Sequence, residues 1–239
     1  MKYRDLLAAQ FLSRPNRFIA HCLLNGETVT AHVKNTGRCR ELLVPGATVY
    51  LQHEPSPNRK TAYTLSHVQK GGRIVQIDSQ APNRLVKEAL EEGRLILPGL
   101  GRPTLIRPET FYGDSRFDLY LESGGQKAFV EVKGVTLEED GWARFPDAPT
   151  ERGIKHLQHL AKAAREGYLC YAVFVIQMEN IRGFSPNDQT HPAFGRALIE
   201  AQQQGVIPLA FSCRVTLSEA VLADPVPVDL WKGRDIRAD

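Results

Sequence analysis

Residues 117–134, FDLYLESGGQKAFVEVKG, constrain the fold more than any other stretch. Phe117, Leu119 and Leu121 alternate with Asp118, Tyr120 and Glu122, the period of a half-buried strand. Ser123-Gly124-Gly125 supplies a tight turn, because glycine reaches positive φ without steric cost. Ala128, Phe129, Val130 and Val132 then form a second strand that carries Glu131 and Lys133. Two residues apart, Glu131 and Lys133 project from one face. Asp118 lies on the neighbouring strand of the hairpin, so one face presents two carboxylates and an ammonium. On a largely apolar sheet that grouping is costly unless something such as a bound cation compensates it.

These side chains suit metal-assisted phosphodiester hydrolysis. Hard cations such as Mg²⁺ or Mn²⁺ take oxygen ligands, often one or two carboxylates with water and substrate phosphate. Asp118 and Glu131 are the candidate carboxylates, and the ion would activate water and neutralise phosphate charge. Lys133 would orient that water, help deprotonate it or stabilise the transition state. The D…ExK pattern resembles the active site of the PD-(D/E)xK nuclease superfamily. The motif is degenerate, and a surface Glu/Lys pair on an edge strand reads the same way in sequence.

At 239 residues the chain accommodates one large or two modest domains. No apolar run approaches the roughly 18 residues of a membrane span, and the first residues lack a signal-peptide core. Cys22, Cys39, Cys170 and Cys213 have no metal-site spacing and read as reduced thiols of a cytoplasmic protein. Charge divides the chain. Residues 1–80 carry 11 Lys and Arg against 5 Asp and Glu, whereas residues 81–239 carry 19 against 22. The basic part is the better partner for a polyanion, and the acidic part holds the candidate metal site.

Residues 1–80 read as all-β. Strands are expected over 7–14, 18–24, 28–33, 48–53, 63–69 and 73–78, with Asn25-Gly26 a strong hairpin signal. Short strands of this number suit a small OB-like barrel, a fold that often binds single-stranded nucleic acid. Arg14, Arg17, Arg38, Arg40, Arg59 and Lys60 are candidate phosphate contacts, each of which is also an ordinary surface charge.

Residues 81–239 alternate helix and strand. A helix starts near Pro82, with Leu85, Val86, Ala89 and Leu90 as its stripe and Gly93 as its end. Its Glu88, Glu91 and Glu92 lie off the stripe's centre. A short strand at 105–107 precedes the hairpin. Residues 136–150 read as one long functional loop. Thr150 caps the next helix, whose stripe is Ile154, Leu157, Leu160, Ala161 and Ala164, with Arg152, Lys155, His156, His159 and Lys162 on its polar side. Residues 169–177 form a strand buried on both faces. A helix over 192–204 and a strand over 207–215 follow, and the tail is read as loosely held. The order matches the αβββαβ core of the PD-(D/E)xK superfamily, with ExK on the third strand.

The segments RPNRFIAHC, AHVKNTGRCREL, PNRLVKEAL, SRFDLYLE, FVEVKGVTL and FPDAPTERGIKHL together resemble the sugar fermentation stimulation protein A family of bacteria and archaea. Where this chain has Arg38-Cys39-Arg40, the family often has Ser-Met. The resemblance implies an OB-like domain over 1–80, a nuclease-like domain over 81–239, non-specific DNA binding, and a link to sugar (maltose) metabolism and its regulation. By motif, Asp118, Glu131 and Lys133 match the nuclease triad. Glu88 matches a helix glutamate that joins the metal site in many superfamily members. Thr150, Glu151, Arg152 and Lys155 fall where such folds position the phosphate or a metal-bound water. Three readings remain open: a metal-dependent nuclease, a non-catalytic DNA-binding regulator on a nuclease scaffold, and a structural ion-pair cluster.

Overall fold

The protein is described here from a computed structural model, over residues 1–35, 37–54 and 61–233. The first third is built from β1 (Leu6–Asn16), β2 (Ile19–Leu24), β3 (Glu27–Val33), β4 (Thr48–His53), β5 (Tyr63–Lys70) and β6 (Arg73–Gln76). Antiparallel pairing gives the order β3-β2-β1-β4-β5, and a parallel β3–β5 contact closes these five strands into the expected barrel. Asn25 and Gly26 both take positive φ, 51° and 87°, as a two-residue hairpin turn requires. Phe11, Ala20, Cys22, Ala31, Val49, Leu51, Leu65 and Val68 fill the interior. At roughly 1.5–3 kcal/mol for each large apolar side chain buried, this core holds the small barrel closed.

The second part starts with α1 (Ala81–Glu91), then β7 (Leu105–Tyr112), β8 (Ser115–Ser123) and β9 (Gln126–Val135). After two short strands, β10 (Leu137–Glu139) and β11 (Trp142–Phe145), come α2 (Glu151–Arg165), β12 (Leu169–Ile176) and β13 (Gly183–Pro186). The chain continues with α3 (Pro192–Gln203), β14 (Val206–Val215) and β15 (Ala220–Val226). The main sheet has the order β15-β14-β12-β9-β8-β7. β9, β12 and β14 run parallel, and the outer strands are antiparallel.

Helices cover both faces of this sheet. Leu85, Val86, Ala89 and Leu90 of α1 pack with Val130 and Val132 of β9 and with Tyr171, Val173 and Val175 of β12. Leu157 and Leu160 of α2 and Phe194 and Leu198 of α3 pack on the opposite face, with Phe129, Ala172 and Phe174. β12 is apolar along its length because neither face meets water. Glu131 and Lys133 therefore share Phe129's side of β9, beneath α2.

The structure corrects several expectations. Residues 136–150 are not one loop, since β10 and β11 form a hairpin there and β11 pairs in parallel with β13. The tail is not loose over 220–226, where β15 extends the main sheet beside β14. The strand expected at 105–107 runs on to Tyr112. Residues 1–3 lie against the second domain, because the Tyr3 amide donates to the Ser218 carbonyl and Lys2 bridges Glu219. All four cysteines are free and buried. Among the described residues no helix is long and apolar enough to cross a membrane.

Candidate active site

The site forms where β8 and β9 separate. Their ladder runs from Ser123↔Gln126 to Leu119↔Val130. One step beyond, the Val132 amide donates to Asp118 Oδ2 at 2.7 Å, so a carboxylate takes the place of a main-chain acceptor. Asn83 Nδ2, in the first turn of α1, donates to Asp118 Oδ1 at 2.7 Å. The helix sits this close because Gly134 has no side chain: a Cβ there would lie 2.8 Å from Pro82 and 2.6 Å from Gln177. Burial raises the Asp118 carboxyl above the ordinary range, and the Glu131 charge raises it further.

Glu131 is 2 % exposed. Its Oε1 accepts from Lys133 Nζ and from His156 Nδ1, the latter at 2.5 Å. Arg152 Nε donates to His156 Nε2 at 3.3 Å. Arginine has no acceptor, so that contact assigns His156 the tautomer with its proton on Nδ1, directed at Glu131. The imidazole also stands edge-on to Phe117, with centroids 6.3 Å apart. Burial pushes the Glu131 carboxyl up, but the His156 hydrogen bond and the Lys133 charge outweigh it and leave the group below its usual value. The two carboxyls are thus driven in opposite directions, a division common at sites that carry chemistry.

Glu131 Oε2 is buried and has no hydrogen-bond partner. An orphaned carboxylate oxygen beside a second carboxylate fits a hard cation. Among the described residues no three His, Cys, Asp or Glu side chains converge as a complete metal cage. Any such ion would therefore take its remaining ligands from water and substrate oxygens. Asp118 and Glu131 would be the protein's ligands to it.

Asp118, Glu131, Lys133 and Arg152 line one pocket of about 190 Å³, together with Asn83 and His156. Glu88 is not brought there. Its carboxylate accepts from the Met1 ammonium at 2.9 Å and from Arg84 Nε at 2.7 Å, and Asn83 is the α1 residue that reaches Asp118. Lys155 is exposed and pairs with Asp114 at 2.8 Å. Arg14 is engaged by the main chain. Its guanidinium donates to the carbonyls of Asn35, Gly37, Arg38 and Arg17 at 2.6–2.9 Å, holding the loop after β3. Arg17, Arg38 and Arg40 are exposed on the barrel, and Arg17 lies 4.9 Å from the Phe18 ring centroid. Arg59 and Lys60 lie outside the described residues.

Sequence reasoning missed His156 and Asn83. His156 was assigned to the polar side of α2 yet is buried. The signal was its i,i+4 spacing from Arg152, which sets both on one face of the helix. Asn83 follows the proline that opens α1, the turn nearest the sheet.

A closed OB-like barrel joined to an α/β domain, with paired carboxylates where its hairpin splits, defines the class of protein. Family comparison narrows it. Residues 12–77 match the SfsA N-terminal OB domain, and residues 80–219 match the sugar fermentation stimulation protein RE domain. The chain belongs to the sugar fermentation stimulation protein family. A homolog from Desulfitobacterium hafniense (strain DSM 10664 / DCB-2) is 52% identical over 233 residues, covering 98% of this chain and 100% of the relative. One from Clostridium beijerinckii is 48% identical over 230 residues, covering 96% and 100%. The structure of Pyrococcus furiosus SfsA in complex with Ca²⁺ is similar to this chain, with a TM-score of 0.87 and 31% identity. The match covers 96% of this chain and 98% of that one.

Proposed function

We propose that this chain binds DNA without sequence preference and hydrolyses phosphodiester bonds at Asp118, Glu131 and Lys133, using Mg²⁺ or Mn²⁺. The observation that carries the reading is the buried, unpartnered Glu131 Oε2 beside Asp118 in a cation-flanked pocket. A divalent ion held by these carboxylates would supply Lewis acidity toward the scissile phosphate and the attacking water. That the Pyrococcus furiosus relative was obtained with Ca²⁺, also a hard, oxygen-seeking ion, agrees with this choice.

The chain's own residues have separable roles in this reading. Asn83 and the Val132 amide hold Asp118 in one orientation. His156, its tautomer set by Arg152, holds Glu131 Oε1 and leaves Oε2 free. Lys133 orients the water and stabilises charge as the phosphorane forms. Arg152, exposed at the rim, draws the phosphate in. The exposed Arg17, Arg38 and Arg40 extend a basic track onto the barrel. The relatives' name ties the family to sugar fermentation, and in this reading the tie runs through DNA in the cytoplasm.

The test is incubation of the purified protein with single- and double-stranded DNA and RNA in Mg²⁺, Mn²⁺ or EDTA. Cleavage should require metal and disappear in Glu131→Ala and Lys133→Ala. Cleavage that persists in both variants would remove this site from the reaction. Binding without cleavage in every condition would leave the non-catalytic DNA-binding reading, which the closed Lys133–Glu131 ion pair also favours.

A further inference from the structure

A second, larger cavity of about 530 Å³ meets the site at Lys133 and Arg152. It lies between the domains. Asn35 and Gly37 of the barrel form one wall, and residues 144–150, leading from β11 to α2, form the other. Its cations are Lys133, Arg144 and Arg152. Its one carboxylate, Asp147, is already engaged, because Oδ2 accepts from the Arg38 amide at 2.8 Å and the Cys39 amide at 3.5 Å. Arg144 lies on the wall formed by β11, and one of its guanidinium nitrogens, Nε, is buried without a hydrogen-bond partner. Its NH1 donates to Ser185 at 2.7 Å, and the Glu139 carboxylate stands 4.0 Å from Nε.

Charge and size together select a ligand. A cationic cleft continuous with a phosphodiester site attracts the next phosphates of the same strand. Pockets that enclose a drug-sized molecule measure roughly 300–1,000 Å³, a scale that suits a nucleotide. The volume is that of one or two nucleotides, far short of a helical turn of duplex. Phe145 also lines the wall, with its ring anchored against Phe174 and Phe194 at centroid distances of 5.8 and 5.1 Å.

We propose that the inter-domain cleft receives one or two unpaired nucleotides next to the phosphate at Glu131 and Lys133, so that the nucleic acid engaged is single-stranded or locally unpaired. This rests on the reading of the site as a phosphodiester site. It adds strand selection, which the carboxylates alone do not provide. The walls belong to both domains, so neither domain alone forms the cleft.

The experiment is fluorescence anisotropy of the full chain in EDTA, where binding is read without cleavage. The probes are a short labelled DNA strand, the RNA of the same sequence and the blunt DNA duplex. Wild type should bind the single strands about tenfold or more tightly than the duplex, a difference of about 1.4 kcal/mol. Ala148→Trp fills the cleft without changing a charge, and Arg144→Ala removes one of its three cations. Each should weaken single-strand binding about tenfold and leave duplex binding unchanged. Circular dichroism would verify that both variants fold. Equal or tighter duplex binding by wild type, or single-strand affinity unmoved in Ala148→Trp, would overturn the cleft's role. Absence of any nucleic-acid binding at low salt would instead sink the parent reading.

Discussion

At the scale of single residues, the side chains with the strongest physical signatures divide between function and fold. Arg14 belongs to the fold. Four main-chain carbonyls converge on its guanidinium, and hydrogen bonds to a charged group contribute about 1.5–3 kcal/mol each, without simple additivity. Arg14→Ala should therefore cost at least about 2 kcal/mol in urea unfolding, whereas Arg17→Ala, on an exposed stacked arginine, should stay within about 0.5 kcal/mol. Equal effects would contradict the assignment. His67 makes a second case. It is fully buried in the barrel, with Nδ1 2.8 Å from Ser66 Oγ, Nε2 unpartnered and the Tyr3 ring edge-on at 4.6 Å. Burial lowers its pKa from 6.5 to about 4. Between those values the unfolded chain binds the proton and the folded chain does not. The associated stability is thus complete above pH 6.5 and lost on acidification, by roughly 3 kcal/mol near pH 4. Unfolding free energy measured from pH 7 to 4 should fall more steeply in wild type than in His67→Leu. Parallel profiles would refute this account.

At the scale of elements, the site depends on how closely α1 and α2 approach the sheet. Gly134→Ala tests the first approach. The added Cβ would stand 2.8 Å from Pro82 and 2.6 Å from Gln177, so the start of α1 must move, and overpacking of this kind costs typically about 1–3 kcal/mol. The shift would also carry Asn83 from Asp118. We expect a lower urea midpoint and weaker metal-dependent cleavage than in wild type; an unchanged midpoint would mean that the contact relaxes freely. Much of this arrangement was legible in the sequence. Period-2 alternation and Ser123-Gly124-Gly125 placed the β8–β9 hairpin, and with it Asp118, Glu131 and Lys133. Thr150 marked the start of α2, where its Oγ1 accepts from the Gly153 amide at 3.1 Å. The apolar run of β12 announced a strand covered on both faces. What was missed has physical causes. β10, β11 and β13 are three or four residues long, too short for alternation to register. Yet Asp140-Gly141 was a usable hairpin signal, and both residues take positive φ, 49° and 77°. β15 is an edge strand whose Asp224 and Pro225 read as tail, although an edge tolerates proline. His156 was hidden because a buried imidazole that bonds a carboxylate has the same sequence pattern as a solvated one. Glu88 was placed by analogy with other chains, and the phase of α1 gave that position to Asn83.

At the scale of the whole molecule, the two domains share one continuous interior. Barrel residues such as Val33, Leu65 and Ile77 belong to the same apolar cluster as Phe174, Phe184 and Phe194 of the second domain. Polar bonds reinforce the junction. Gln177 Nε2 donates to Gln76 Oε1 at 3.0 Å and to the Asp78 carbonyl at 2.9 Å, and Lys70 pairs with Glu138 at 3.2 Å. Across the cleft, Asp147 holds the barrel's loop through the Arg38 amide, and Gly37 allows the close approach, since a Cβ there would lie 2.6 Å from the same carboxylate oxygen. Domains joined in this way should unfold together, despite a composition that divides cleanly into basic and acidic parts. Calorimetry of wild type should give one transition, with calorimetric and van't Hoff enthalpies in agreement. Asp147→Ala removes the acceptor of the Arg38 amide, which is exposed and can turn to water, at a cost of about 0.5–1.5 kcal/mol. For a chain of this size that corresponds to roughly 1–6 °C in Tm. The transition should remain single, because the shared core and the Gln177 bonds are untouched. Two separate transitions in wild type would show that the domains are only tethered. Two transitions appearing in Asp147→Ala alone would assign most of the coupling to the loop contact, and the cleft between the domains would then owe its shape to that one carboxylate.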